Sequence, residues 1–238
     1  MIVVLLSITA IAQIKLPPPG QGREAEPVNP KANTLSVKNK KERTKEELLA
    51  ANNKTRAHKL FKEGVKYYNN NNYEKAIVSF RESAAVYPDN AKVYYNLGKI
   101  YQLQGDNNLA LSYFEDAVKY DPADSASLVS IGMIYFAKKQ YPQALEYYNK
   151  AIEVAPNYAM AYYNRGSVIG MNNQYDQAVE DLTKAIDLGF NDPKAYVNRG
   201  LGYYYLKKMD KACKDWKKAA SLGSTAGQTA VDKYCQKR

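Results

Sequence analysis

Residues 91–124 read AKVYYNLGKIYQLQGDNNLALSYFEDAVKYDPAD, and residues 125–158 read SASLVSIGMIYFAKKQYPQALEYYNKAIEVAPNY. Set one above the other, the two stretches place the same kinds of residue at the same positions. Gly98 aligns with Gly132, Ala110 with Ala144, Phe114 with Tyr148, Ala117 with Ala151 and Pro122 with Pro156. The register continues outward with a period of 34 residues. Gly64, Gly166 and Gly200 extend the glycine column, Ala76, Ala178 and Ala212 the alanine column, and Phe80, Leu182 and Trp216 the large-residue column. A further small column holds Ser83, Ala185 and Ala219, and an aromatic one holds Tyr67, Tyr101, Tyr135 and Tyr203, with Ile169 in the fourth cycle. Five cycles of one period mark a supersecondary unit that stacks on copies of itself.

The columns have a physical reading. Glycine inside a helix costs about 1 kcal/mol relative to alanine. Its return in every cycle means that a neighbouring group comes too close to admit a Cβ. The alanine-bearing helix is the expected neighbour, and the large residue four positions later is expected to fill the wider part of the wedge. Each hairpin alone buries only part of its apolar face, so the next hairpin must cover the rest. Asn69 to Asn72 supply a turn between helices.

This pattern resembles the tetratricopeptide repeat family. The resemblance implies an all-α, right-handed superhelical solenoid of five helical hairpins, over residues 57–90, 91–124, 125–158, 159–192 and 193–224, closed by a capping helix within 225–238. Pro88, Pro122 and Pro156 stand where the family places proline after the second helix. The fourth repeat departs: Phe190 takes that place, and Gly189 and Pro193 punctuate instead. Arg165 and Arg199 occupy a usually apolar position, where their stems can pack and their heads are expected to reach water.

The resemblance also implies that the first helix of each hairpin lines a concave wall through positions two, five, six, nine, 12 and 13, which form one helical face. Position six reads Lys62, Asn96, Ser130, Asn164 and Asn198, and position five reads Phe61, Tyr95, Val129, Tyr163 and Val197. Lys92 adds a cation at position two and Lys99 one at position nine. Asn96, Asn164 and Asn198 are therefore candidate partner-binding residues, with Tyr95, Tyr163, Lys92 and Lys99 beside them. An amide side chain can both donate to and accept from a peptide backbone, and tyrosine offers rigid contact area. The same Asn can instead serve the hairpin, and the same Tyr can be half core; the residues leave both readings open. A two-carboxylate clamp of the kind some family members use would need Lys at position five and Asn at position nine of one repeat, and no repeat has either.

Around the repeats lie two segments of different composition. Residues 1–14, MIVVLLSITAIAQI, are too short for a membrane-spanning helix but suit the apolar region of a signal peptide. Ala10-Ile11-Ala12 offers a small-x-small cleavage site, so residues 1–12 are expected to be a signal peptide. Export to the periplasm or cell envelope follows, with a cytoplasmic protein as the alternative. Residues 13–43 are polar and basic and are expected to be a disordered tail. Thr44-x-x-Glu47 makes a capping box and is expected to open a leading helical segment over 44–56.

Charge is uneven along the chain. Residues 13–56 hold ten Lys or Arg against five Asp or Glu, residues 57–193 hold 13 against 16, and residues 194–238 hold 11 against three. A nucleic-acid binder carries its basic stripe along its working face. Here the excess sits at the ends, which disfavours nucleic acid and suggests weak membrane-surface association through the basic tail. His58 is the lone histidine, with no Cys or carboxylate at ligand spacing. The glycines lie inside helices rather than between a strand and a helix, so they form no phosphate loop. No cofactor and no catalytic group is expected.

The cysteines are Cys213 and Cys235. Ser224 lies midway between them, and antiparallel helices leaving one turn bring equidistant residues side by side. In an oxidising compartment a Cys213–Cys235 disulfide is expected to staple the cap. Two functions fit these readings: an exported adaptor holding a protein or extended peptide in the groove, or a structural part of an envelope or secretion assembly docked through its outer face and tail.

Overall fold

The structure is a computed structural model that describes residues 30–235, with side chains from residue 44. The signal segment 1–12 and the first part of the tail, with the membrane-surface association assigned to it, lie outside the described residues. The chain divides into two units, residues 1–47 and residues 48–238. Of the first, the described part is helix.

Eleven helices and no strands make up the described residues: α1 (Pro30–Asn69), α2 (Tyr73–Val86), α3 (Ala91–Leu103), α4 (Asn107–Tyr120), α5 (Ser125–Ala137), α6 (Tyr141–Val154), α7 (Ala159–Met171), α8 (Tyr175–Asp187), α9 (Pro193–Tyr205), α10 (Met209–Ser221) and α11 (Thr225–Tyr234). The second unit is an all-α superhelix of five hairpins. The end of α1 packs on α2 through Phe61 and Gly64 against Phe80, and α3 to α10 follow in pairs, each pair packing against the next. None of the described helices is long and apolar enough to cross a membrane.

The start of α1 corrects one expectation. Residues 30–43, taken from composition as part of a disordered tail, are helical, and Thr44 lies in mid-helix rather than at a cap. Pro30 stands at the first helical position, where its missing N–H is no loss. Ala32, Leu35, Glu42, Arg43 and several lysines between are good helix formers, and no Gly interrupts them. Polarity had argued for disorder, but a helix already nucleated downstream extends at small cost per residue.

Turns repeat as regularly as helices do. The left-handed residue of each hairpin turn is Asn71, Gly105, Lys139, Asn173 and Lys207, with φ between 58° and 82°. All five occupy one position of the period, so the hairpin geometry tolerates the strain of a side chain at four of them. Asn72 and Asp106 cap the helices that follow, their side chains accepting from the amides of Lys75 and Leu109. Between repeats four and five, Gly189 takes φ +91°, Asp192 caps α9 by accepting from the Lys194 amide, and Pro193 opens the helix. Those three residues do the work that Pro does after the earlier repeats.

The core follows the columns. The five alanines from Ala76 to Ala212 and the five large residues from Phe80 to Trp216 are all buried. Ser83 replaces alanine in its column because its hydroxyl donates to the Ala57 carbonyl, 2.8 Å away.

The glycine column has a different cause from the one expected. A Cβ on Gly98 would lie 2.7 Å from the Phe114 ring, and one on Gly132 2.5 Å from the Tyr148 ring. At Gly64 and Gly200 the obstacles are Phe80 and Trp216. The large residue of the partner helix lies flat on the glycine, and alanine is not the closest neighbour. Only Gly166 differs, because Leu182 is smaller; there the Asp181 Cβ comes nearest, at 2.8 Å.

Candidate functional site

Alternate helices of the array carry the candidate site. The first helices of successive hairpins, α5, α7 and α9, touch one another directly. They bring positions of the inner face into one concavity. A pocket of about 470 Å³ opens there in repeats four and five. Tyr163, Asn164, Ser167, Gly170 and Met171 line it from α7, and Asn198, Leu201 and Tyr205 from α9. Of the candidate residues, the structure therefore gathers Tyr163, Asn164 and Asn198 around one pocket. Lys92, Tyr95, Asn96 and Lys99 stand on α3, two repeats away, and do not line it.

The three asparagines are half-buried and differ in their bonds. Asn96 Nδ2 donates to the Lys92 carbonyl at 2.7 Å, and Asn164 Nδ2 to the Met160 carbonyl at 2.8 Å. Ser130 makes the equivalent bond to Ala126 in repeat three. These are bonds within one helical turn, and they leave the amide oxygen and the second amide hydrogen for a ligand. Asn198 reaches across to the previous repeat instead. Its Nδ2 donates to Ser167 Oγ at 3.1 Å, and Ser167 donates to the Tyr163 carbonyl at 2.7 Å.

Tyr95 and Tyr163 are partly core. The Tyr95 ring lies 5.8 Å from that of Phe114, and Tyr163 stacks on Phe190 at 4.5 Å. Burial raises both phenols above the usual tyrosine range, so they remain neutral hydroxyls at physiological pH. Phe190, which displaced the proline of repeat four, holds Tyr163 in place.

Along the concave wall of repeats two to five, exposed apolar side chains recur at its lining positions. Leu103, Met133, Phe136, Met160, Met171, Leu201 and Tyr205 are all exposed, Leu103 by 57% and Met171 by 55%. The same positions carry Lys62, Lys92, Lys99 and Lys194 and no Asp or Glu in any repeat. The wall is apolar, amide-bearing and cationic.

The arginines at position seven do not send their heads to water. Arg165 donates through Nε and Nη2 to the Asp181 carboxylate at 2.8 and 2.7 Å, and through Nη1 to Asn149 at 2.9 Å. Arg199 repeats the arrangement with Asp215 and with Thr183. Pairing with Asp181 and Asp215 raises both guanidinium pKa values against the opposing effect of burial. The reason is the partner: a buried carboxylate 16 residues on demands a cation. Repeats two and three put Leu97 with Tyr113 and Ile131 with Tyr147 at the same two places. That joint change, repeated twice at one spacing, was readable as a pair.

At the C-terminal end, Cys213 and Cys235 form a disulfide, with Cα atoms 5.6 Å apart. It joins α10 to the residue after α11. Ser224 caps α11 by accepting from the Gly227 amide, and Gly227 lets α11 close on Ala219, Ala220 and Trp216.

Tetratricopeptide repeat models match residues 91–124 and 125–158, and two further models of the repeat match residues 64–105 and 147–180. The chain belongs to the tetratricopeptide repeat family. Solved structures agree on the TPR fold. MamA is 26% identical, with 72% of this chain and 97% of MamA covered and a TM-score of 0.58. PilF of Pseudomonas aeruginosa is 20% identical over 73% of this chain and 79% of PilF, with a TM-score of 0.66. YrrB, described as a TPR protein with an unusual peptide-binding site, is 19% identical over 73% of this chain and 90% of YrrB, with a TM-score of 0.59. At such identities PilF and YrrB speak to fold alone. No curated protein matches this sequence. As a TPR solenoid the chain is a protein-interaction scaffold, and TPR proteins are in general non-enzymatic.

Proposed function

We infer that this TPR protein is an exported, non-enzymatic adaptor of a bacterial cell envelope that holds a protein or extended peptide in its concave groove. One observation carries the reading: exposed apolar side chains recur along the inner wall, between half-buried amides. Such a surface in water calls for a partner. The second helices of the hairpins expose fewer large apolar residues, Val78, Leu109, Tyr120, Val154 and Met209. That pattern gives an assembly docked through its outer face little to hold. The apolar run at residues 1–14 and the disulfide support export, since disulfides persist in oxidising compartments.

Photo-cross-linking tests the groove. A photoreactive residue placed at Lys99, Met133 or Leu201 in cells should yield adducts with a partner, whereas one at Glu82 or Glu180 on the second helices should yield none. Adducts from the outer positions alone would replace the groove reading with the outer-face assembly.

A further inference from the structure

The pocket in repeat four exists because two columns fail there together. The large-residue column holds a ring in every other repeat, Phe80, Phe114, Tyr148 and Trp216, but Leu182 in the fourth. Position 12 holds Tyr68, Gln102, Phe136 and Tyr204, but Gly170 in the fourth. Both deficits face the same space, since Leu182 and Gly170 line one pocket. A Cβ on Gly170 would find only Ala178, at 3.4 Å, so unlike Gly98 or Gly132 this glycine yields to no packed ring. Glycine here keeps a space open.

The walls of that space are aromatic. Phe136, Tyr163, Tyr175 and Tyr205 line it, with Tyr175 and Tyr205 stacked at 4.5 Å, and the nearly buried Tyr148 lies at its base. Asn164 and Asn198 line the same pocket, so groups able to bind a peptide backbone stand beside an opening that suits one large side chain. A volume of about 470 Å³ falls within the range of built ligand sites. The charge of the lining positions selects further: Lys62, Lys92, Lys99 and Lys194 outnumber the two carboxylates near the wall, Asp124 by Tyr95 and Asp192 by Tyr163, so the surface favours an acidic segment over a basic one.

We propose that the repeat-four pocket is the anchor site for one aromatic side chain of an acidic, extended peptide segment of the partner. The ring enters between Gly170 and Leu182 and meets the tyrosines edge-on or stacked. The peptide backbone lies across Asn164 and Asn198, and its carboxylates face the lysines of the wall. This rests on the groove reading and goes beyond it by naming the side chain and the place it binds.

The test uses the full chain, isotope-labelled, and three blocked nonapeptides of alternating Glu and Ser. One has a central Phe, one a central Ala, and one keeps Phe with Gln in place of every Glu. Amide signals of Gly166, Gly170 and Gly202, all on the pocket wall, report occupation. The Phe peptide should shift them saturably, and the Ala peptide should bind about tenfold or more weakly. The Gln peptide should bind more weakly than its Glu parent, with less dependence on salt. Gly170→Phe, which plugs the pocket with a ring as position 12 does in repeats one, three and five, should bind the Phe and Ala peptides alike. Gly170→Leu is a smaller plug that should act in the same direction if the ring disturbs packing.

Equal binding of Phe and Ala peptides by the parent chain, or a Phe preference that survives both plugs, overturns the pocket and leaves the groove reading standing. Shifts produced by N-acetyl-phenylalaninamide at the three glycines, with no nonapeptide bound, would show a cavity for a free small molecule and overturn the peptide anchor together with the groove reading. Absence of any shift with any probe removes both.

Discussion

Arg199 holds Asp215 with two nitrogens, each 2.7 Å from its own carboxylate oxygen. The pair ties the first helix of the last repeat to its second, and a third nitrogen reaches back to Thr183 of the repeat before. With side-chain exposures of 15% and 6%, neither charge has much water to fall back on. Arg199→Leu should cost about 3–5 kcal/mol because it leaves a buried carboxylate unpaired. Adding Asp215→Tyr, which recreates the Leu97 and Tyr113 combination of repeat two, should recover most of that loss. Urea unfolding of the parent, the two single variants and the double variant measures it. A double variant no more stable than Arg199→Leu would show that the pair does more than neutralise itself.

Two glycine substitutions should have opposite signs. Gly98→Ala drives a Cβ onto the Phe114 ring and should destabilise by about 1–3 kcal/mol. Gly170→Ala meets only ordinary contact with Ala178 and should stabilise by about 0.5–1 kcal/mol through reduced chain entropy. Thermal melts of the two variants side by side check the contrast.

The groove asparagines should separate by their bonds. Asn96→Ala loses a bond within its own helix, and its stability should stay within about 0.5 kcal/mol of the parent. Asn198→Ala cuts the link from α9 to Ser167 and should cost about 1 kcal/mol. Denaturation midpoints, read beside partner binding, distinguish the two. Equal losses at both positions would assign the amides to the hairpin rather than to a ligand.

The C-terminal staple closes a loop of 22 residues. Reduction, or joint Cys213→Ser and Cys235→Ser replacement, should lower stability by about 3 kcal/mol. Protein purified without reductant should show no alkylatable thiol. Two free thiols in native protein would remove the staple and weaken the case for export.

Export itself predicts a mature chain beginning at Gln13. Mass spectrometry of the native N-terminus reads this directly, and a chain that retains Met1 in the cytosol would refute it.

The period alone disclosed the hairpins, because a solenoid repeats its packing and so repeats its residues. Gly64 to Gly200 and Ala76 to Ala212 were legible for that reason. What the columns could not show was which residue touches which. The rings of Phe114 and Tyr148 lie over the glycines because of rotamer and crossing angle, which spacing does not record. Arg165 was read from its own stem and head, while its environment is decided by Asp181, 16 residues away. The beginning of α1 escaped because helix extension from an existing helix needs no apolar period. In the candidate site, Tyr163, Asn164 and Asn198 were legible one by one. The pocket among them was not, because it is made by the smallness of Gly170 and Leu182, and a missing volume is visible only when its borders meet in space.

The lysines at the lining positions of the inner wall have a kinetic consequence. A field of one sign is felt before contact and acts on the rate of encounter, whereas packed rings and amides act on the rate of escape. At physiological ionic strength such a field fades over about 8 Å, less than the reach of a flexible segment. The lysines would thus govern how soon an acidic segment arrives, and a change of ionic strength would change that interval. How long the segment stays would be set deeper in the groove and would hardly respond to salt at all.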